Sequence, residues 1–141
     1  LEKKLAEGVD VRVVTNSFRS TDGVFPQAAY LKYRGGLVRR GMEMREYKGP
    51  DVLHAKSIVV DDRYALIGSY NIDPRSQYLN TEIMCIADDE AVARALRASI
   101  DAHVANAWTI RRSARGPHVS RAMTLRLWAA RLLLPLVEPQ L

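Results

Sequence analysis

The segment HAKSIVVDDRYALIGSYNID, from His54 to Asp73, sets an imidazole and an ammonium two residues apart in an otherwise apolar run. A β-strand sends alternate side chains to opposite faces, so His54 and Lys56 emerge side by side as a small cationic patch. An imidazole exchanges its proton near neutral pH, and a lysine beside it adds a fixed positive charge. The wider set is His54, Lys56, Asp61, Gly68, Ser69 and Asn71, followed by Asp73, Arg75, Ser76 and Glu82. At ordinary residue frequencies the first six at fixed spacing arise by chance on the order of once in a million chains of this length, so the spacing marks a site.

The elements that must hold this set are legible from pattern. Residues 1 to 7 read as the end of a helix closed by Gly8. In VDVRVVTNS the apolar Val9, Val11 and Val13 alternate before polar residues take over, which is a strand entering a loop. Pro26 to Arg40 has a helical pattern interrupted by Gly35 and Gly36, and MEMREYK alternates as a short strand. SIVV and YALIG are apolar on both faces, as central strands are, with Asp61, Asp62 and Arg63 as a tight connection between them. TEIMCIA is a further strand, in which the lone Cys85 is expected in the core. DDEAVARALRASIDAHVANAW opens with acidic residues and carries apolar residues at helical spacing, so it is a helix. Strands interleaved with helices predict an α/β fold with a mixed sheet flanked by helices. Along a regular strand Asp61 lies an odd number of residues from His54 and faces away from it, which predicts a structural salt bridge or turn bond.

The chain has 141 residues and a net charge of +5, with 21 Lys and Arg against 16 Asp and Glu. Up to Asn106 the two signs balance at 15 each, so the whole excess lies in the tail, in six arginines against Glu138. The tail's partner is expected to be anionic, whereas a nuclease would carry its basic excess around the site. No uncharged apolar run reaches the roughly 18 to 20 residues of a membrane span. A start within a charged helical pattern reads as an excerpt of a longer protein. In VSRAMTLRLWAARLLLPLV, Arg121, Arg126 and Arg131 fall about 140° apart around a helix and leave no clean polar face; interfacial binding through Trp128 and packing against a missing half are rival readings. His103 and His118, and the tyrosines, read as ordinary core or surface residues.

The spacing resembles the H-x-K-x4-D motif, extended by G-S-x-N, of the phospholipase D superfamily. VTNSFRSTDGVFPQAAYLKYRGGLVRRGMEMREYKGP upstream and DPRSQYLNTEI downstream are similar to the C-terminal half of bacterial cardiolipin synthases. The resemblance covers roughly residues 1 to 110 and implies a catalytic half-domain there; by composition and pattern, residues 111–141 read as a basic, apolar tail helix. Superfamily members assemble a site from two motif copies, and this chain holds one.

The resemblance implies phosphodiester transfer in two displacements through a phosphohistidine, without metal or cofactor. One histidine attacks phosphorus, and a second moves the proton of the leaving and incoming alcohols. Lys56 would hold the phosphate's charge, Ser69 and Asn71 would bind its non-bridging oxygens, and Gly68 would permit close backbone approach. Glu82 resembles the family carboxylate that fixes the histidine's tautomer. Asn16, Ser17 and Asp22 resemble the loop beside the substrate, though the same residues are ordinary turn formers; Arg75 and Ser76 after the Asp73-Pro74 turn are in the same position. The function expected is a phosphatidyltransferase of cardiolipin synthase type, membrane-associated at the cytoplasmic side of a bacterial inner membrane. Its expected partners are phospholipid, an anionic membrane surface and a second motif-bearing half, in the same natural chain or a homodimer. Rival readings are a phospholipase D or homodimeric phosphodiesterase or nuclease, and a non-catalytic membrane-binding remnant.

Overall fold

The computed structural model describes residues 2–21, 23–110 and Ala129. The predicted tail helix and Asp22 therefore lie outside the described residues. The chain forms two compact units, one from the residues up to Leu53 with the stretch from Asn106, the other from His54–Ala105.

In the first unit, α1 (Glu2–Ala6) ends before Gly8, whose φ of +84° suits a glycine at a helix terminus. β1 (Arg12–Asn16) leads into α2 (Val24–Arg39), which returns the chain to β2 (Glu43–Tyr47) parallel to β1, with Arg12 opposite Glu43 and Asn16 opposite Tyr47. α2 runs unbroken through Gly35 and Gly36. Its packing outweighs a helix propensity loss of about 1 kcal/mol per glycine, because Tyr30, Leu37 and Val38 join Met42, Met44 and Ile110 in the core.

β2 alternates, and its buried face carries Met44 and, unexpectedly, Glu46, which is 0% exposed. A buried carboxylate costs several kcal/mol unless it is paired. Here Arg34 Nη1 at 2.7 Å and the Tyr30 hydroxyl at 3.0 Å both donate to its Oε1. Burial first, and then the Glu46 charge, push the Tyr30 phenol well above the usual tyrosine range.

The sheet's third strand was not expected. The helical pattern of DDEAVARALRASIDAHVANAW breaks at Asn106, and β6 (Ala107–Ile110) pairs antiparallel to β2, with Trp108 opposite Glu46. Asn106 makes the switch: its carbonyl accepts the Lys48 N–H at 2.9 Å and its side-chain amide donates to the Gly49 carbonyl at 3.1 Å. The following Trp, Thr and Ile favour extended backbone.

In the second unit, β3 (Ser57–Val60), β4 (Tyr64–Gly68) and β5 (Met84–Asp88) form an antiparallel meander in the order β3-β4-β5. Asp61 and Asp62 adopt φ of 50° and 54°, and the Arg63 N–H returns to the Val60 carbonyl at 3.1 Å. Two successive left-handed residues make the tight hairpin whose twist matches the strands. Asp62 pairs with Arg97, and Arg63 with Asp88 at 2.6 Å. β5 leads to α4 (Glu90–Ala105), whose first turn is capped by the Asp89 carboxylate accepting the Ala91 and Val92 N–H groups.

α4 packs against all three strands. The row Val59, Ala65 and Ala87, with Ala65 2% exposed, marks the covered face. The expectation that SIVV and YALIG are buried on both faces is corrected: Ile58 is 40% and Ile86 65% exposed across the other face. Cys85 is exposed too, contrary to its expected place in the core. Ile58 and Ile86 lie on the face away from α4. Cys85 shares the α4 face with Ala65 and Ala87 but sits at the strand end beside Ile67, which is 51% exposed and so marks where that cover stops.

Candidate functional site

β4 ends at Gly68, and the chain beyond it collects the polar groups. A Cβ on Gly68 would collide with the Ile83 carbonyl and lie 2.5 Å from Met84 Sδ. The close approach that glycine permits is therefore to the neighbouring strand. Ser69 extends that pairing: its N–H donates to the Ile83 carbonyl at 2.9 Å, and its hydroxyl accepts the Ile83 N–H at 3.1 Å. The hydroxyl proton is then directed to Glu82 Oε2, 2.5 Å away.

The other Glu82 oxygen accepts from Asn80 Nδ2 at 3.2 Å. The Ser69 hydroxyl most of all, then the Ser76 hydroxyl, hold the Glu82 carboxyl below the usual carboxylate range; the Asn80 amide and the Lys56 charge act in the same direction, and partial desolvation opposes them. Lys56 is tied to the same end of the sheet, since its carbonyl accepts the Gly68 N–H at 3.0 Å. Its ammonium donates to the His54 carbonyl at 2.8 Å.

His54 itself lies before β3 rather than in it, because β4 stops at Gly68 and offers no partner to the residues preceding Lys56. It is exposed, as is Asn71. The Asn71 backbone is held by its N–H donating to Ser76 Oγ at 3.2 Å. Ser76 is in turn set by α3 (Pro74–Tyr78), a single turn that Asp73 caps by accepting the Ser76 N–H at 2.7 Å. Asp73-Pro74, read as a turn, is thus the start of a short helix.

The second unit therefore gathers Lys56, Gly68, Ser69 and Glu82, with Asn71 close by in the chain. Asp61 sits in the hairpin turn. Asn16 and Ser17 belong to the first unit, where their polar atoms are engaged. The Asn16 side chain donates to the Leu53 carbonyl at 2.8 Å and accepts the Leu53 N–H at 2.9 Å. Ser17 is fully buried and its hydroxyl accepts the Arg19 N–H at 3.1 Å.

Asn80, which holds Glu82, was missed. An asparagine two residues before a glutamate is ordinary turn chemistry, and no spacing rule singles it out. Among the described residues no group of three or more His, Cys, Asp or Glu side chains is placed to hold a metal ion.

The arrangement can bind an anion beside Lys56 and exchange a proton at His54. Comparison with known proteins gives the family. Residues 1–104 match the family described as cardiolipin synthase, PLD-like domain. An uncharacterised Helicobacter pylori protein is 36% identical over 120 residues, covering 76% of this chain and 24% of that protein. Cardiolipin synthase C of Escherichia coli is 30% identical over 129 residues, covering 79% of this chain and 27% of the synthase. This chain thus spans about a quarter of the length of these relatives. Among solved structures, the fold is shared with phosphatidylserine synthase of Haemophilus influenzae at a TM-score of 0.70 and 18% identity, covering 99% of this chain and 37% of that one. It is shared also with Nuc, a phospholipase D family member from Salmonella typhimurium, at a TM-score of 0.61 and 19% identity, covering 79% and 70%.

Proposed function

Because the chain belongs to the phospholipase D-like domain family of cardiolipin synthase, we propose that it carries one half of a phosphatidyl-transfer site. The observation that supports this reading is the meeting of Lys56, Ser69 and Glu82 where β4 ends, next in the chain to an exposed imidazole at His54.

The reaction proceeds in two displacements. A histidine nitrogen attacks phosphorus and the bond to the leaving alcohol breaks, its oxygen taking a proton from a second histidine. The incoming alcohol then gives its proton to that second histidine as its oxygen displaces the first from phosphorus. His54 is assigned the proton transfer, by resemblance to C-terminal halves, and the nucleophile belongs to a second motif copy. Lys56 holds the phosphate's charge as it redistributes and the Asn71 amide binds a non-bridging oxygen. Ser69, expected to bind one as well, instead commits its hydroxyl proton to Glu82, the carboxylate assigned to fix the histidine's tautomer.

The substrates are phospholipids, met at an anionic membrane surface on the cytoplasmic side of a bacterial inner membrane. The second motif-bearing half lies in the same natural chain or in a second copy of this one. The exposed row of Ile58 and Ile86 is apolar surface such a half would cover. The balance of charge before the tail favours lipid over nucleic acid.

The test uses the chain joined to a second motif-bearing half and supplied with anionic phospholipid vesicles. Phosphatidyl transfer is expected, and His54→Ala should lower turnover more than about a hundredfold with the circular dichroism spectrum unchanged. Retention of more than about a hundredth of the rate would remove His54 from the mechanism. Phosphatidic acid released with no transfer product would assign hydrolysis instead.

A further inference from the structure

Resting on the reading of Glu82 as part of the transfer site, we propose that Asn80 is a positioning residue that orients and charges the Glu82 carboxylate through a directional chain of hydrogen bonds beginning at Arg75. The direction of the chain is set by donors that have no choice. Arg75 is a cation with no acceptor, so its Nε, 3.1 Å from Asn80 Oδ1, fixes which end of the amide is the oxygen. The Asn80 Nδ2 donor is thereby turned to Glu82 Oε1 at 3.2 Å.

On the other side the Ile83 N–H donates to the Ser69 hydroxyl, which forces that hydroxyl's own proton toward Glu82 Oε2. Both oxygens of one carboxylate thus receive donors whose orientation is imposed from outside. Donors aimed at both oxygens bond most strongly to the ionised carboxyl, so the arrangement favours the anion and one rotamer. The groups acting on Glu82 come from several segments: Lys56 before β3, Ser69 after β4, Ser76 on α3, and Asn80 in the loop before β5, with Arg75 on α3 acting through Asn80.

Asn80→Asp tests the direction at constant shape, because it exchanges the donor for an oxygen and adds a like charge. In the 141-residue chain itself, carbon-detected titration of the Glu82 carboxyl should give a midpoint below the usual carboxylate range, rising by about one pH unit in Asn80→Asp and by less in Asn80→Ala. Dispersed amide spectra verify that each variant is folded. A midpoint that ignores Asn80→Asp overturns the proposal.

In the assembled enzyme, Asn80→Asp should lower kcat on the order of tenfold, as loss of outer-sphere partners does elsewhere, with KM unchanged and the acidic limb of the pH profile moved upward. A titration that moves while kcat and that limb stay still also overturns it. The titration does not depend on turnover, so it can fail while the transfer reading, decided by His54→Ala, stands.

Discussion

Lys56 and Asp61 share one motif, and the fold asks different things of them. Lys56 places its charge near Glu82, whereas Asp61 occupies the first left-handed position of the β3–β4 turn with φ of 50°. Left-handed backbone costs most side chains roughly 1–2 kcal/mol, and glycine, asparagine and aspartate pay least. Asp61→Asn and Asp61→Gly should therefore leave stability and turnover close to wild type. Asp61→Val should lose about 1–2 kcal/mol in urea unfolding, with activity per folded molecule unchanged. A folded but inactive Asp61→Asn would show that the aspartate has a chemical role after all.

At the scale of elements, α2 and β2 are joined by the buried pair of Arg34 and Glu46, whose side chains are 16% and 1% exposed. Removing the cation strands a carboxylate in the core. Arg34→Ala should cost about 3–5 kcal/mol by chemical denaturation, while Arg34→Met combined with Glu46→Leu should be near neutral, because both desolvation costs vanish together.

Tyr30 adds a pH dependence to the same contact. Its folded-state pKa lies above the unfolded value of about 10, so the neutral phenol contributes its full stabilisation below that pH. The contribution is lost as pH rises through 10 toward the folded value. Between about pH 9 and about pH 11 the unfolding free energy should fall more steeply in the wild type than in Tyr30→Phe, which has no phenol to ionise. Equal slopes would place the hydroxyl in a more water-like setting than its bond to Glu46 implies.

At the scale of the whole molecule, a two-displacement reaction needs two groups that each do a different job, and the motif occurs in this chain once. The 141-residue chain alone is therefore expected to be inactive on anionic phospholipid vesicles and to gain activity when the second half is added. Solution mass and turnover measured on the same sample check this. A dimer that turns over lipid unaided would overturn the expectation and assign both roles to a pair of symmetry-related His54 residues.

The sequence by itself determined the family and the α/β class, because H-x-K-x4-D with G-S-x-N is a set of residue types at fixed spacing and needs no coordinates to be recognised. It also placed the hairpin between SIVV and YALIG, since Asp-Asp between apolar runs is local turn chemistry. Whatever depends on residues distant in the chain was decided only by the tertiary structure. β6 exists because Asn106 meets Lys48 and Gly49, and helical periodicity running up to Trp108 hides that capture. Glu46 looks like the polar member of an alternating strand until Arg34 and Tyr30, a helix away, are seen to bury it. Ile86 looks like core until the face that α4 covers is known, and Cys85 until the end of that cover beside Ile67 is known. Glu82 could be named from its resemblance, but its hold by Ser69 and Asn80 could not, because a hydrogen bond's direction is set by which donors are already committed elsewhere.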